Sequence, residues 1–245
     1  MRSLVVLSML ITTVVTLTVG VRLLLAARRT RQIPELLYGT AFVATAVGQV
    51  FPQIGQRLLW SDPGVLATTL NTLFFGIFVL GSLALWNVTS KVFRPGDEWA
   101  KWLCWMGCLA TLAAYGLRIV DGDFAVSVAP SRGLLAHYAI RILLLGWVCF
   151  EAFRWHALLR RRLKLGLADP VATNQILLWG ISGVAAVVPA LVIVLSLFVL
   201  HVHPLEWWPA LSAIMLSVFV VSGGMWCAFF PPAWLRTSLE QRALG

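Results

Sequence analysis

Arginine is always charged and carries five N–H donors, so an arginine inside an apolar run demands acceptors or an anion. Arg141 lies within such a run, roughly 12 Å from its start at about 1.5 Å per residue, and Arg118 sits near the end of another. His137 and Tyr138 stand about one turn before Arg141, while Gln49, Gln53, Asn71 and Tyr115 offer neutral donors and acceptors in neighbouring runs. These eight residues predict a ligand-binding pocket of positive character, because a carboxylate accepts a bidentate pair from arginine where the local dielectric is low. Packing alone is the competing explanation, with glutamine oxygens and backbone carbonyls satisfying both arginines. A second set, Glu35, Glu151, Arg154 and Gln175, holds both signs of charge and predicts a closed polar network. Glu151 and Arg154 are three apart on one helix and can pair; Glu35 is expected to meet a base or polar group from the third, fifth or sixth span.

Other chemistry is poorly supplied. Gly180-Ile181-Ser182-Gly183 resembles the GxSG of rhomboid-like intramembrane proteases, but no histidine stands on a neighbouring span at the depth of Ser182. Close packing of small residues is the expected role of this segment. His201, His203 and Glu206 fall short of a zinc set, since Pro204 interrupts their spacing. A haem would require paired histidines at membrane depth, and a retinal Schiff base a lysine in the last span; neither is present. Pro52-Gln53 is similar to the motif of PQ-loop transporters, but the sixth span offers Pro189-Ala190 where it should recur. Cys104, Cys108, Cys149 and Cys227 read as small polarizable core residues. No enzyme activity, metal or cofactor is expected.

The elements that must position these residues follow from composition. The 245 residues are 60% hydrophobic and 12% charged, with a mean hydropathy of +0.86. A soluble domain carries about 25% charged residues. An ordinary soluble enzyme, a disordered chain and a secreted disulfide scaffold are thereby excluded. What remains is an all-α polytopic membrane protein. A spanning helix needs about 20 apolar residues, and seven runs qualify: Leu4–Ala26, Ile33–Leu59, Val65–Val88, Trp99–Val120, Gly133–Phe153, Val171–Leu200 and Trp208–Phe230. They predict one seven-helix transmembrane domain over residues 1–245. The first run is too long for the roughly 7–15-residue core of a signal peptide. At about 100° per residue, Glu35, Tyr38, Thr45, Gln49, Gln53 and Gln56 share one face of the second span, and His137, Arg141 and Glu151 share one face of the fifth.

Basic residues set the orientation. Fourteen of the nineteen lie in one set of connections, among them Arg28, Arg29, Arg94, Arg154, Arg160, Arg161, Arg162 and Lys164; only Arg2, Arg57, Arg118 and Arg132 lie in the other. The N-terminus is expected outside and the C-terminus in the cytoplasm. On this reading no acid at the depth of Arg118 and Arg141 neutralises them, Asp62, Asp121, Asp123 and Glu206 lying at the rim. The net charge of +9 meets anionic lipid headgroups and implies no nucleic acid. The cluster Arg160, Arg161, Arg162 and Lys164 is also a candidate docking patch for a cytoplasmic protein. Trp60, Trp207 and Trp208 at one set of span edges, and Trp99, Trp102, Trp155 and Trp234 at the other, form the expected interfacial belts.

Phe229-Phe230-Pro231-Pro232, followed by Trp234 and Arg236, resembles the end of uncharacterised bacterial seven-helix membrane proteins, as does the first loop, Arg28-Arg29-Thr30-Arg31 with Pro34-Glu35-Leu36-Leu37. The resemblance covers a minor part of the chain. It implies the seven-helix fold and no particular activity. The expected function is a sensor-like or small-molecule-binding module of a bacterial inner membrane, with an outward-facing positive pocket and a separate signalling partner. A small-molecule transporter or channel is the alternative, and a structural or assembly subunit the second.

Overall fold

A chain this apolar satisfies its backbone groups in lipid only by making them hydrogen-bond within each segment, which favours helices. The computed structural model describes residues 2–50, 65–124, 131–204 and 206–244. Among them the regular elements are all helical: α1 (Arg2–Thr30), α2 (Ile33–Val50), α3 (Val65–Phe93), α4 (Glu98–Val120), α5 (Arg132–Leu163), α6 (Pro170–Val194), α7 (Trp208–Phe229) and α8 (Ala233–Leu244). Six of them, α1 and α3 to α7, are long and apolar enough to cross a membrane. This is the architecture of a multi-pass helical membrane protein. The part of the second predicted span after Val50, with Gln53 and Gln56, lies outside the described residues.

Helix ends overrun the predicted spans. α3 continues past Val88 to Phe93, and α5 past Phe153 to Leu163. The added residues of α5 are rich in Arg and Leu, good helix formers that continue the helix beyond the apolar stretch. The patch Arg160, Arg161 and Arg162 therefore stands on rigid helix, with Lys164 at its C-cap. α6 contains Pro189, whose ring removes one backbone hydrogen bond, and relaxes into a π-helical turn at Leu195–Val199.

The helices α1 to α7 pack in chain order as a closed ring, α7 returning to α1, and α3 also touches α5 across it. Glycines set the closest approaches. A methyl group at Gly48 of α2 would lie 2.5 Å from the Phe78 backbone nitrogen of α3, and one at Gly107 of α4 would lie 2.5 Å from the Trp86 indole. Gly180 and Gly183 of α6 likewise face Phe153 and the Cys149 Sγ of α5, so the Gly-Ile-Ser-Gly segment packs helices closely. The α1–α7 seam is closed by polar contacts. Thr12 and Ser222 share a hydrogen bond of 2.8 Å. Arg22 Nη1 donates to the Phe229 carbonyl, and its guanidinium lies 4.5 Å from the centre of the Phe230 ring. Pro231 and Pro232 follow the end of α7 and offer no N–H to the carbonyls of its last turn, so Arg22 takes one of them.

Candidate functional site: a central cavity beneath Arg141

Every helix of the ring except α4 contributes to a cavity of about 160 Å³ on the bundle axis. Periodicity explains its walls. Positions spaced by three, four and seven residues share a helix face, and the cavity takes Phe78, Ser82 and Leu85 from α3, Arg141, Leu144 and Val148 from α5, and Trp179, Ser182 and Ala186 from α6. Seven residues of helix separate the ends of each set, so the cavity runs about 10 Å along the axis at roughly 1.5 Å per residue. The helices alternate in direction. Gln49, Phe78, Arg141 and Ala186 consequently lie toward one end, and Phe42, Leu85, Val148 and Trp179 toward the end where the basic connections gather.

Arg141 lines the cavity, and its guanidinium carbon stands 4.8 Å from the centre of the Phe78 ring. Among the described residues it makes no ion pair and no hydrogen bond. Ser182, only 3% exposed, has an Oγ without a hydrogen-bond partner, and the indole N–H of Trp179 is also buried and unpaired. A buried polar group without a partner costs about 1–3 kcal/mol. The cavity thus has one uncompensated cation in a mainly apolar wall, and two of its lining residues carry unsatisfied polar atoms that are occluded from it.

Of the eight predicted ligand-binding residues, Gln53 lies outside the described residues, and the other seven do not all converge on this one space. Arg141 and Gln49 reach it. Arg118, Asn71 and Tyr115 serve a neighbouring cluster around the α4–α5 connection. Tyr115 donates its hydroxyl to the Thr72 carbonyl at 2.9 Å, and Asn71 Nδ2 donates to the Phe124 carbonyl at 3.3 Å. Arg118 lies over Phe75 and Phe124, 4.2 and 4.6 Å from their centres. His137 is buried edge-on to Phe75 and Phe78, with Tyr138 beside it. Phe75 and Phe78, three apart on α3 and stacked on each other, separate the two groups. They form a ladder with Arg118 at one end and Arg141 at the other.

The expectation that no acid neutralises Arg118 is corrected. Its Nε lies 3.5 Å from Asp123 Oδ2, both side chains being largely buried. The chain turns back directly after α4, with the Asp123 N–H bonded to the Arg118 carbonyl. Asp123 also accepts from the Ser131 hydroxyl, and Asp121 accepts from the Gly133 N–H at 2.9 Å. These aspartates belong to the fold of the connection rather than to a rim facing water.

The predicted polar network divides in the same way. Glu151 is 0% exposed and accepts from Arg154 Nη1 at 3.2 Å, as its spacing requires. Its shorter bond, 2.7 Å, comes from Arg94 Nε, and Arg94 also pairs with Asp97 at 3.3 Å. Glu35 does not join this network. It accepts from the Thr30 hydroxyl across the α1–α2 turn, and with Gln175, Arg22 and Tyr38 it borders a second cavity of about 400 Å³. Trp179 belongs to the walls of both cavities. It meets Tyr38, Phe42 and Phe229 edge to face at 5.0, 5.4 and 5.8 Å, an aromatic partition between the two spaces.

Sequence reasoning passed over Arg94, counted only toward orientation, and Trp179. A signal for the latter existed: Gln175, Trp179 and Ser182 share one face of α6 at helical spacing. Among the described residues no three His, Cys, Asp or Glu side chains converge as metal ligands. No family model, curated protein or solved structure matches this chain.

Proposed function

We propose that the chain is a seven-span membrane module that binds a small anion beneath Arg141 and reports occupancy to a separate partner. The observation that carries this reading is an arginine on the wall of a central cavity with no acid or acceptor engaging it among the described residues. Ionisable residues at membrane depth are costly, and a functional role is the default reading for them. α2 completes the seventh span on this proposal. The N-terminus lies outside, the C-terminus lies in the cytoplasm of a bacterial inner membrane, and Arg141 stands toward the outer end of the cavity. The helical extension bearing Arg160, Arg161, Arg162 and Lys164 is the surface offered to the partner.

Two measurements check it. A reporter fused after Gly245 should behave as cytoplasmic; a periplasmic signal would overturn the orientation. Small carboxylates such as benzoate and hexanoate should raise the melting temperature of the purified protein, and Arg141→Gln should abolish that rise. A rise that survives the substitution places the anion elsewhere.

The aromatic partition favours a second reading, a transporter. Displacing the Trp179 side chain would join the central cavity to the one bordered by Glu35 and Gln175, and Pro189 offers a hinge on the same helix. Uptake of labelled hexanoate into proteoliposomes decides between the two, since a sensor binds without moving its ligand.

A further inference from the structure

We infer that the groove between α3 and α4 holds the headgroup of an anionic phospholipid, at a site separate from the cavity beneath Arg141 and independent of that reading. Asn87, Lys91 and Arg94 on one side, and Lys101, Trp105 and Cys108 of α4 on the other, border a groove of about 450 Å³. Arg94 follows the last residue of α3 but keeps its helical bond, its N–H donating to the Ser90 carbonyl. Each set is spaced by four and three residues, so each shares one helix face. The two helices run in opposite directions about the short turn through Pro95 and Gly96. The three cations therefore gather at the turn, the end where the basic connections lie. Asn87 and Cys108 stand about 10 Å deeper, at roughly 1.5 Å per residue.

Charge selects the occupant. Glu151 and Asp97 already engage Arg94, at 2.7 and 3.3 Å. Lys101 pairs with Glu98 at 2.6 Å, but both side chains are more than half exposed, and exposed pairs contribute little. Lys91 is exposed and makes no ion pair or hydrogen bond among the described residues. One positive charge is left over, which matches a singly charged phosphodiester, and Lys101 can exchange Glu98 for its second oxygen. Position selects a lipid rather than a soluble anion. Trp105 is 68% exposed and belongs to a bare apolar stripe with Trp102, Met106 and Leu109, one face of α4 at helical spacing. The groove thus borders the surface that meets acyl chains, with its cations at the level of the headgroups. Basic pockets between spanning helices on the cytoplasmic side hold such headgroups, and the Trp105 indole, an apolar body with one polar N–H, suits the same depth.

The test follows the melting temperature of the full-length protein in dodecyl maltoside micelles. Phosphatidylglycerol is titrated in, beside phosphatidylcholine with the same acyl chains and water-soluble glycerol 3-phosphate. Phosphatidylglycerol should raise the melting temperature saturably, and the other two should not. Lys91→Gln and Lys101→Gln should each raise the half-saturating mole fraction about fivefold, the factor that one basic residue supplies at an anionic surface. Arg160→Gln/Arg161→Gln removes as much charge from the extension of α5 as the double lysine variant removes from the groove, and should leave that fraction unchanged. Arg141→Gln should leave it unchanged too, which keeps this site distinct from the anion site. Both lysines are exposed, so without lipid their variants should melt as the wild type does. An equal shift from phosphatidylcholine, or an equal loss in the α5 variant, would reduce the groove to non-specific or diffuse attraction and overturn the inference. A shift from glycerol 3-phosphate that depends on Lys91 would overturn it in favour of a water-soluble phosphate.

Discussion

Glu151→Gln should destabilise the bundle by about 3–5 kcal/mol, the usual cost of removing one partner from a buried ionic cluster. Glu151 is wholly buried and holds two guanidinium groups, Arg94 at 2.7 Å and Arg154 at 3.2 Å. Glutamine keeps the shape but supplies no charge, and its amide nitrogen would point donors at donors. The damage reaches beyond α5. Arg94 ties the α3–α4 turn to α5 and lies 5.0 Å from the centre of the Trp99 ring, so its release loosens three helices together. Thermal unfolding in detergent, followed by tryptophan fluorescence, checks this. Glu35→Gln is the control. Its hydrogen bond stays within one turn and is partly exposed, so a loss under about 1 kcal/mol is expected. Equal melting temperatures for wild type and Glu151→Gln would show that the cluster contributes nothing net.

Arg141→Met should act in the opposite direction and raise the stability of the ligand-free protein by about 1–3 kcal/mol, within the range seen when buried ionic groups give way to apolar ones. The guanidinium recovers only a cation–π contact with Phe78, worth about 0.5–2 kcal/mol. That falls short of the several kcal/mol of desolvation charged to a buried ion. Methionine is unbranched and flexible enough to lie along the same wall. The same variant should lose the carboxylate-induced melting shift. Gain of stability with loss of binding is the signature of a residue kept for function. A large destabilisation would instead mark Arg141 as a packing residue.

What the sequence discloses, and what it hides, divides along physical lines. Apolar length alone dictates α1 and α3 to α7, because hydrocarbon thickness is fixed. The Glu151–Arg154 pair is legible because i and i+3 meet on any helix. Its stronger partner, Arg94, depends on how the α3–α4 turn folds, which no periodicity describes. Asp123 looks like a rim residue until the connection after α4 turns it back onto Arg118. Periodicity directs Gln49 and Arg141 inward together. It also directs Arg118, Asn71 and Tyr115 inward, but only packing reveals that Phe75 and Phe78 stand between the two groups.

The Arg22–Phe229 and Thr12–Ser222 contacts join positions 207 and 210 residues apart, and this bears on biogenesis. As the chain leaves the ribosome, the first helix enters the bilayer long before the last one exists. Until α7 has been synthesised, the Arg22 guanidinium and the Thr12 hydroxyl lack their final neighbours, and the nascent bundle stays an open arc. Such incomplete species expose polar surface in lipid and are natural targets for insertases and membrane proteases. A ribosome stalled before α7 would therefore leave a product damaged at its opposite end, around α1, as well as at the point of truncation.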